Sequence, residues 1–219
     1  MPRDIKNIYL YRIIPIENLV YDLNNGLYSK FAAPSNPQRV VIGNTEIISE
    51  RDKRVVKCYP STKVNDYVPF YFSMRTPMLY NIVTGHHGIT KRNQNDIIYL
   101  CIPIVDLACD AYQWCFTDGN AAKLITKFFT ELKELSHLDW KSIYTTDFRL
   151  DNSDGDEDRI RKKHSEFLVK DHVPANAIKN IVVFNRETKV KVEKIINSAA
   201  LNINVYVNPK KKFYFNGIH

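Results

Sequence analysis

Glycine is scarce in this chain, 7 residues in 219, and those present are scattered. No G-x-G-x-x-G and no G-x-x-x-x-G-K-[ST] spacing occurs. That absence argues against a Rossmann dinucleotide site and a Walker-type NTPase, both of which need glycines where backbone meets phosphate. The nucleophile elbow G-x-S-x-G and the zinc motif H-E-x-x-H are missing too. The 4 cysteines, Cys58, Cys101, Cys109 and Cys115, form no C-x-x-C pair, so neither a zinc knuckle nor a dithiol redox site is supported. Cys101 and Cys109 lie in apolar company and read as reduced core residues of a cytoplasmic protein. No apolar run is long enough to span a membrane, and Met1–Asn7 has no signal-peptide core. Acid is in the minority, 24 Asp and Glu against 31 Lys and Arg, for a net charge of +7. Such an excess favours an anionic partner: nucleic acid, an acidic membrane surface or a phosphorylated ligand. It also serves plain solubility, and charge alone does not separate the two.

Aromatic residues are plentiful, 12% of the chain, with 13 tyrosines. The densest block runs from Asp66 to Tyr80 and is broken by Pro69 and Pro77. A second stretch, His164-Ser165-Glu166-Phe167-Leu168-Val169, sets one carboxylate ahead of an apolar run and just after a basic cluster. Together they suggest a pocket that stacks flat rings and aims one acid at a bond.

The patterning predicts a strand over 8–14, then a short helix over 16–25 stopped by Gly26. A loop follows from Phe31 and extends to about Val64, with one or two helical turns. Residues 67–72 read as a buried strand that Pro69 places at an edge or a bulge. A helix begins near Thr76 with Pro77 at its first position. Strands are expected over 96–104 and 112–116, and an amphipathic helix over 120–135 through Leu124, Phe128, Leu132 and Leu135. Residues 151–158 form an acidic loop, followed at once by Arg159, Arg161, Lys162 and Lys163. Strands at 167–169, 181–184, 203–207 and 213–215 and a helix at 189–200 complete the chain. Irregular alternation of short elements, with no repeat and no compositional break, indicates one α+β domain over 1–219.

Glu166 is the acid to single out, because a lone Glu at the edge of an apolar run is costly to bury unless it is paired or working. The plainer alternative is an ion pair with Arg161, Lys162 or Lys163. Arg51 and Arg54 suit a bidentate grip on pyrophosphate, or are simply solvated. Tyr71 and Tyr80 suit stacking on a ring, and Met78 suits padding one; each serves equally as core. His86 and His87 lack a third ligand at metal-binding spacing. Basic residues interleaved with aromatics, such as Lys53, Arg54, Lys57, Tyr59 and Lys63, suit single-stranded nucleic acid.

Several of these motifs in order resemble the DarT family of bacterial DNA ADP-ribosyltransferase toxins: Tyr11-Arg12-Ile13 with Glu17-Asn18-Leu19, Asp66 to Phe72 with Pro77-Met78-Leu79, Phe116 to Ala121, and Ser165 to Val169 with Pro174. The resemblance implies a compact ADP-ribosyltransferase fold, similar to PARP-like and diphtheria-toxin-like enzymes, with two small packed sheets, peripheral helices and an NAD+ cleft between the sheets. It implies transfer of ADP-ribose from NAD+ to a base in single-stranded DNA, thymidine in the most similar branch, with no metal. By position, Glu166 becomes the catalytic glutamate, which stabilises the ribose cation and takes the proton of the base, and Arg51 the arginine that stabilises the reacting NAD+ and helps activate the base. Arg12, Asn18, Tyr71, Met78 and Asn120 fall on NAD+ positions, and Arg54, Arg75, Lys162 and Lys163 are assigned to DNA. Pro15 and Asn120 stand where the family commonly has His, and Arg12 where it often does. A macrodomain antitoxin, DarG, is the implied partner. A transferase acting on guanine, RNA or protein, a non-catalytic nucleic-acid module and a scaffold are the competing readings.

Overall fold

The computed structural model describes residues 4–146 and 158–217. Its main sheet has eight strands: β1 (Tyr9–Pro15), β2 (Tyr67–Tyr71), β3 (Ile97–Pro103), β4 (Trp114–Thr117), β5 (Phe128–Phe129), β6 (Glu166–Lys170), β7 (Asn180–Val183) and β8 (Asn204–Val207). They lie in the order β8-β7-β3-β1-β2-β6-β4-β5. β3 is the hydrophobic spine, with six consecutive buried residues from Ile97 to Ile102. It pairs with β1 along the full length of both strands, from Tyr9↔Pro103 to Pro15↔Ile97. On the far side of the seam, β2 pairs with β6 through five residues, Tyr67↔Lys170 to Tyr71↔Glu166.

β1 and β2 share one partnered position only, Tyr11↔Tyr71. The sheet is therefore two four-stranded halves that touch at one point and splay apart beyond it. This placement corrects the expectation for Pro69. β2 is an interior strand, not an edge, and Pro69 is tolerated because it faces the splayed side. Its carbonyl accepts a 3.0 Å hydrogen bond from the Arg12 guanidinium, so the side on which proline lacks an N–H has no ladder to break. Beneath both halves runs one apolar cluster that includes Leu10, Phe70, Leu100, Phe116, Phe167 and Ile181. Phe72 meets Phe116, Trp140 and Phe167 edge-to-face, with centroids 5.7–6.4 Å apart, a favourable geometry for ring quadrupoles.

The helices pack around this sheet. α1 (Leu19–Asn25) ends at Gly26, whose φ of 83° suits glycine alone. α2 (Thr45–Lys53) starts at Asn44, whose side chain accepts from the Ile47 N–H. α3 (Pro77–Thr84) has Thr76 as its cap and Pro77 first, as expected. α4 (Arg159–Lys163) leads into β6, and α5 (Arg186–Ala199) joins the parallel strands β7 and β8.

Other expectations change. The long loop after Phe31 is more ordered than its composition indicates, holding α2 and a small hairpin of Val55–Val56 with Tyr59–Lys63. The amphipathic helix over 120–135 does not form. Leu124 and Ile125 are exposed, Phe128 pairs with Thr117, and a 3-10 turn occupies Leu132–His137. Backbone groups of this stretch bond to distant partners: Ala121 N–H to Glu166, and the carbonyls of Lys123 and Leu124 to Arg54. Tertiary contacts override the helical spacing. Residues 213–215 bend rather than form a strand, and Cys109 is half-exposed rather than core. The acidic stretch 151–157 lies outside the described residues.

Candidate active site

The seam between the half-sheets positions the acid. Glu166 opens β6 directly opposite Tyr71, the residue by which β2 touches β1. It is 2% exposed. Its partner is none of the three cations adjacent in sequence but Arg51, whose Nη1 donates to Oε1 at 3.0 Å and to Oε2 at 2.9 Å. The Ala121 N–H donates to Oε1 at 3.0 Å. The strand start is fixed by Thr117, whose hydroxyl accepts the Glu166 N–H at 3.1 Å and donates to the Gly119 carbonyl at 2.7 Å.

Arg51 comes from the last turn of α2 and is aimed by Asn65. The Asn65 side-chain oxygen accepts from Arg51 Nε at 3.3 Å. Its nitrogen donates to the Ile48 carbonyl at 2.8 Å and to Asp52 at 2.7 Å, and Asp52 is held in turn by Lys30. Arg51 Nη2 remains buried with no hydrogen-bond partner. An unsatisfied buried donor beside a carboxylate is costly in a resting protein and has a natural use toward a ligand oxygen.

The loop that delivers the Ala121 N–H is lashed by Arg161, whose Nη1 donates to Asp118 at 2.9 Å and whose Nε and Nη2 grip Asp158 at 2.7 and 2.6 Å. The Arg161 carbonyl accepts from the Asn120 N–H at 3.0 Å. Gly119 is required here: a Cβ on it would stand 2.9 Å from Arg161 Cγ and Cζ.

Tyr71 lies at the same seam, and its hydroxyl donates to Met78 Sδ at 3.2 Å. Burial, and then the Glu166 charge, push this phenol well above its usual range. Arg12 crosses the seam to Pro69, and burial lowers its pKa to about 10. Its Nε has no partner, nor does Oδ2 of the nearby buried Asp22, whose Oδ1 accepts from Arg39 at 3.1 Å.

A cavity of about 1080 Å³ opens beside these groups, between Ile47 and Glu50 of α2, Pro77 and Tyr80 of α3, Asn120, and His164. That is the size class of pockets for small ligands and cofactors. Among the described residues no group of three His, Cys, Asp or Glu is placed to hold a metal.

The structure thus gathers Glu166, Arg51, Tyr71, Met78, Arg12 and Asn120 around one seam. Other sequence-predicted residues are engaged elsewhere. Asn18 clamps the backbone of Val40, donating to its carbonyl at 2.8 Å and accepting from its N–H at 2.9 Å. Arg54 donates to the carbonyls of Lys123 and Leu124, and Arg75 to those of Lys211 and Lys212. Lys162 pairs with Asp139 at 3.3 Å. Lys163 is no surface cation: it is 2% exposed and donates to the Ile143 and Met74 carbonyls and to Ser73. Sequence reasoning missed Asn65; Thr117, Arg161 and His164 stood within stretches already singled out, but without these roles.

The family model described as "ssDNA thymidine ADP-ribosyltransferase, DarT" matches residues 11–215. A DNA ADP-ribosyl transferase of Thermus aquaticus is 33% identical over 189 residues, 85% of this chain and 80% of that protein. The Thermus sp. 2.9 DarT in complex with ADP-ribosylated single-stranded DNA superposes with a TM-score of 0.84 at 28% identity, covering 95% of this chain and 96% of the other. The same Thermus protein in complex with NAD+ gives 0.77 at 26% identity, over 95% and 98%.

Proposed function

The chain belongs to the DarT family of single-stranded-DNA thymidine ADP-ribosyltransferases, and from that premise we propose that Glu166 and Arg51 transfer ADP-ribose from NAD+ onto thymine in single-stranded DNA. One observation carries the assignment of the site: a buried carboxylate–guanidinium pair, with a spare buried donor on Arg51, at the seam of a split sheet beside a cavity of cofactor size.

Positive charge builds at the ribose C1′ as the nicotinamide bond breaks, as in glycoside cleavage. The Glu166 carboxylate, preorganised by Ala121 and Arg51, is the group that stabilises it. Arg51 Nη2 is the donor available to a phosphate or thymine carbonyl oxygen. Tyr71 and Met78 form a flat, soft wall for the nicotinamide ring. Arg12 and Asp22, each with one buried atom unsatisfied, suit the polar edge of the same ligand. Asn120 lines the cavity at a position where the family commonly has His, and its side-chain oxygen accepts from the Ala122 N–H at 3.0 Å. The base must leave its stack to reach such a seam, which explains a preference for single strands. Of the cations assigned to DNA, Lys163 is buried, while Arg54 and Arg75 donate to backbone carbonyls and stay partly exposed.

On this reading the chain is a single catalytic domain that acts as a toxin in the cytoplasm. Modified thymines block replication, and a macrodomain antitoxin that removes ADP-ribose is the partner that restrains it. No helix among the described residues is long and apolar enough to cross a membrane. The test is intact mass of short oligonucleotides incubated with NAD+. A gain of one ADP-ribose only on thymine-containing strands is expected. A gain on guanine-only strands would retain the reaction and overturn the acceptor, and no gain on any DNA would overturn the activity.

A further inference from the structure

No C-x-x-C pair occurs, yet the fold brings two cysteines from distant stretches together. Cys58 sits at the tip of the small hairpin, between Val56 and Tyr59, and is half-buried. Cys115 is fully buried in β4, opposite Leu168 of β6. Both belong to one apolar cluster with Val56, Tyr67, Ala121 and Leu168. The hairpin is fastened there by Tyr59, whose hydroxyl donates to the carbonyl of Trp114 at 3.2 Å. Within the cluster the Cys115 thiol donates a hydrogen bond to the Cys58 sulfur. The other two cysteines face carbonyls instead, Cys101 that of Tyr99 and Cys109 that of Asp106.

That bond makes the two thiols unequal. Donation from Cys115, ahead of the opposing burial, holds Cys58 below the usual thiol range. Cys115 is pushed well up, by the same bond first, then by burial and the charges of Cys58 and Glu166. A half-buried thiol that ionises readily, beside a buried one that does not, is the arrangement of an attacking and a resolving cysteine. The pair also lies between the two arms that hold the site. The hairpin joins α2, which carries Arg51, to Asn65, which aims it. β4 runs from Cys115 to Thr117, which fixes the start of β6 at Glu166.

We propose that Cys58 and Cys115 are an oxidation site, which hydrogen peroxide closes into a disulfide that slackens the Glu166–Arg51 pair. The Cys58 thiolate attacks one peroxide oxygen; the O–O bond breaks, hydroxide leaves, and Cys58 becomes a sulfenic acid. The Cys115 sulfur then attacks the Cys58 sulfur; the S–S bond forms, the S–O bond breaks, and the hydroxyl leaves with the Cys115 proton as water. Each sulfur gives up one electron, and the peroxide, with the two thiol protons, becomes two waters. Two sulfurs in hydrogen-bond contact must draw closer to bond, so the hairpin tip moves against β4. A displacement of about 1 Å in a positioned group costs about 100-fold in rate. This consequence rests on the function proposed above; the bond itself does not.

The test is hydrogen peroxide on the reduced full chain, followed by peptide mapping and by labelling of thymine strands. Mapping should find Cys58 joined to Cys115 with the loss of two hydrogens, and no other pairing. Labelling should fall about 10-fold or more and return with dithiothreitol. Met78, which accepts from the Tyr71 hydroxyl, is the internal control, because a sulfoxide there would slow labelling in a way that dithiothreitol does not reverse. Cys58→Ser should label like reduced wild type and keep its rate in peroxide. Cys58 carried on to a sulfinic acid with Cys115 still a thiol overturns the proposal, as do two thiols left untouched. So does a disulfide that leaves labelling unchanged, or a loss in peroxide that Cys58→Ser shares. Mapping of wild type decides the bond even where Cys58→Ser fails to fold. If reduced wild type labels no thymine strand, it is the proposed function that fails, and mapping still decides the bond.

Discussion

Glu166→Gln preserves the shape of the side chain and removes its charge. In the wild-type site Oε1 accepts from Ala121 and Arg51, each at 3.0 Å, and Oε2 accepts from Arg51 at 2.9 Å. The two side chains are 3% and 11% exposed, so water cannot replace what is lost. Glutamine has one acceptor oxygen. If it stays on Ala121, its amino group faces the guanidinium, donor against donor. If it turns to Arg51, the amino group meets the Ala121 N–H. One buried donor is orphaned either way, at about 1–3 kcal/mol. Breaking a buried ion pair from one side costs about 3–5 kcal/mol, and the two figures overlap rather than add. Urea unfolding should therefore show a loss of about 3–5 kcal/mol, and less than the sum of the two single losses when Arg51→Met is combined with it, because no lone charge then remains. Under conditions where near-UV circular dichroism shows the variant folded, labelling of thymine strands should fall at least 10²–10³-fold, roughly the scale of one preorganised electrostatic group. A variant that unfolds with wild type and labels with wild type would refute both the burial argument and the role.

Three further outcomes are expected. Gly119→Ala sets a Cβ 2.9 Å from Arg161 Cγ and Cζ, so Arg161 must give way and the loop carrying Ala121 loosens; activity should fall well before the melting temperature does, and an unchanged turnover would contradict the loop's part in holding Glu166. Lys163 is lowered from 10.5 to about 7, by burial first and Arg75 second. Between those values the unfolded chain keeps a proton that the folded chain has released, so the stability of wild type relative to Lys163→Met should rise as pH climbs from about 7 toward 10; a difference flat across that window would mean the lysine is not held unprotonated. Affinity for single strands should fall with salt, with a log–log slope of about −0.7 per phosphate contacted, and a flat response would exclude phosphate contacts.

Elements whose residues bond mainly to one another were legible in the sequence. Thr76 and Pro77 announced α3, Gly26 ended α1, and the apolar run 97–102 announced the spine. The stretch 120–135 was not legible, because its helical spacing of leucines and Phe128 competes with partners far along the chain: Arg54, Arg161 and Glu166 each take a backbone group from it. Glu166 itself stood out as an acid at the edge of an apolar run. Its true partner, 115 residues away, did not, since three cations lay nearer in sequence. Pro69 misled for a related reason. Proline reports only that a donor is absent, and an open seam inside a sheet tolerates that as well as an outer edge does.

The basic composition has a second explanation in the same contacts. Strands this short leave much backbone in loops, and loop carbonyls without a ladder need donors. Arginine carries five N–H groups in a fixed fork. Arg12 serves Pro69 across the seam, Arg54 serves Lys123 and Leu124, Arg75 serves Lys211 and Lys212, and Lys163 serves Met74 and Ile143. These cations bind the molecule's own backbone at the places where secondary structure gives out. A guanidinium keeps its charge when it donates to a neutral carbonyl, so the net charge of +7 still attracts a phosphate backbone, while only cations that reach a phosphate add to the salt slope. Two of the basic residues nearest Glu166 in sequence, Arg161 and Lys163, are held by contacts within the protein. Their position fits them to brace the carboxylate's surroundings: Lys163 donates to the buried Ile143 carbonyl, and Arg161 grips the Asp118 carboxylate on the loop that carries Ala121.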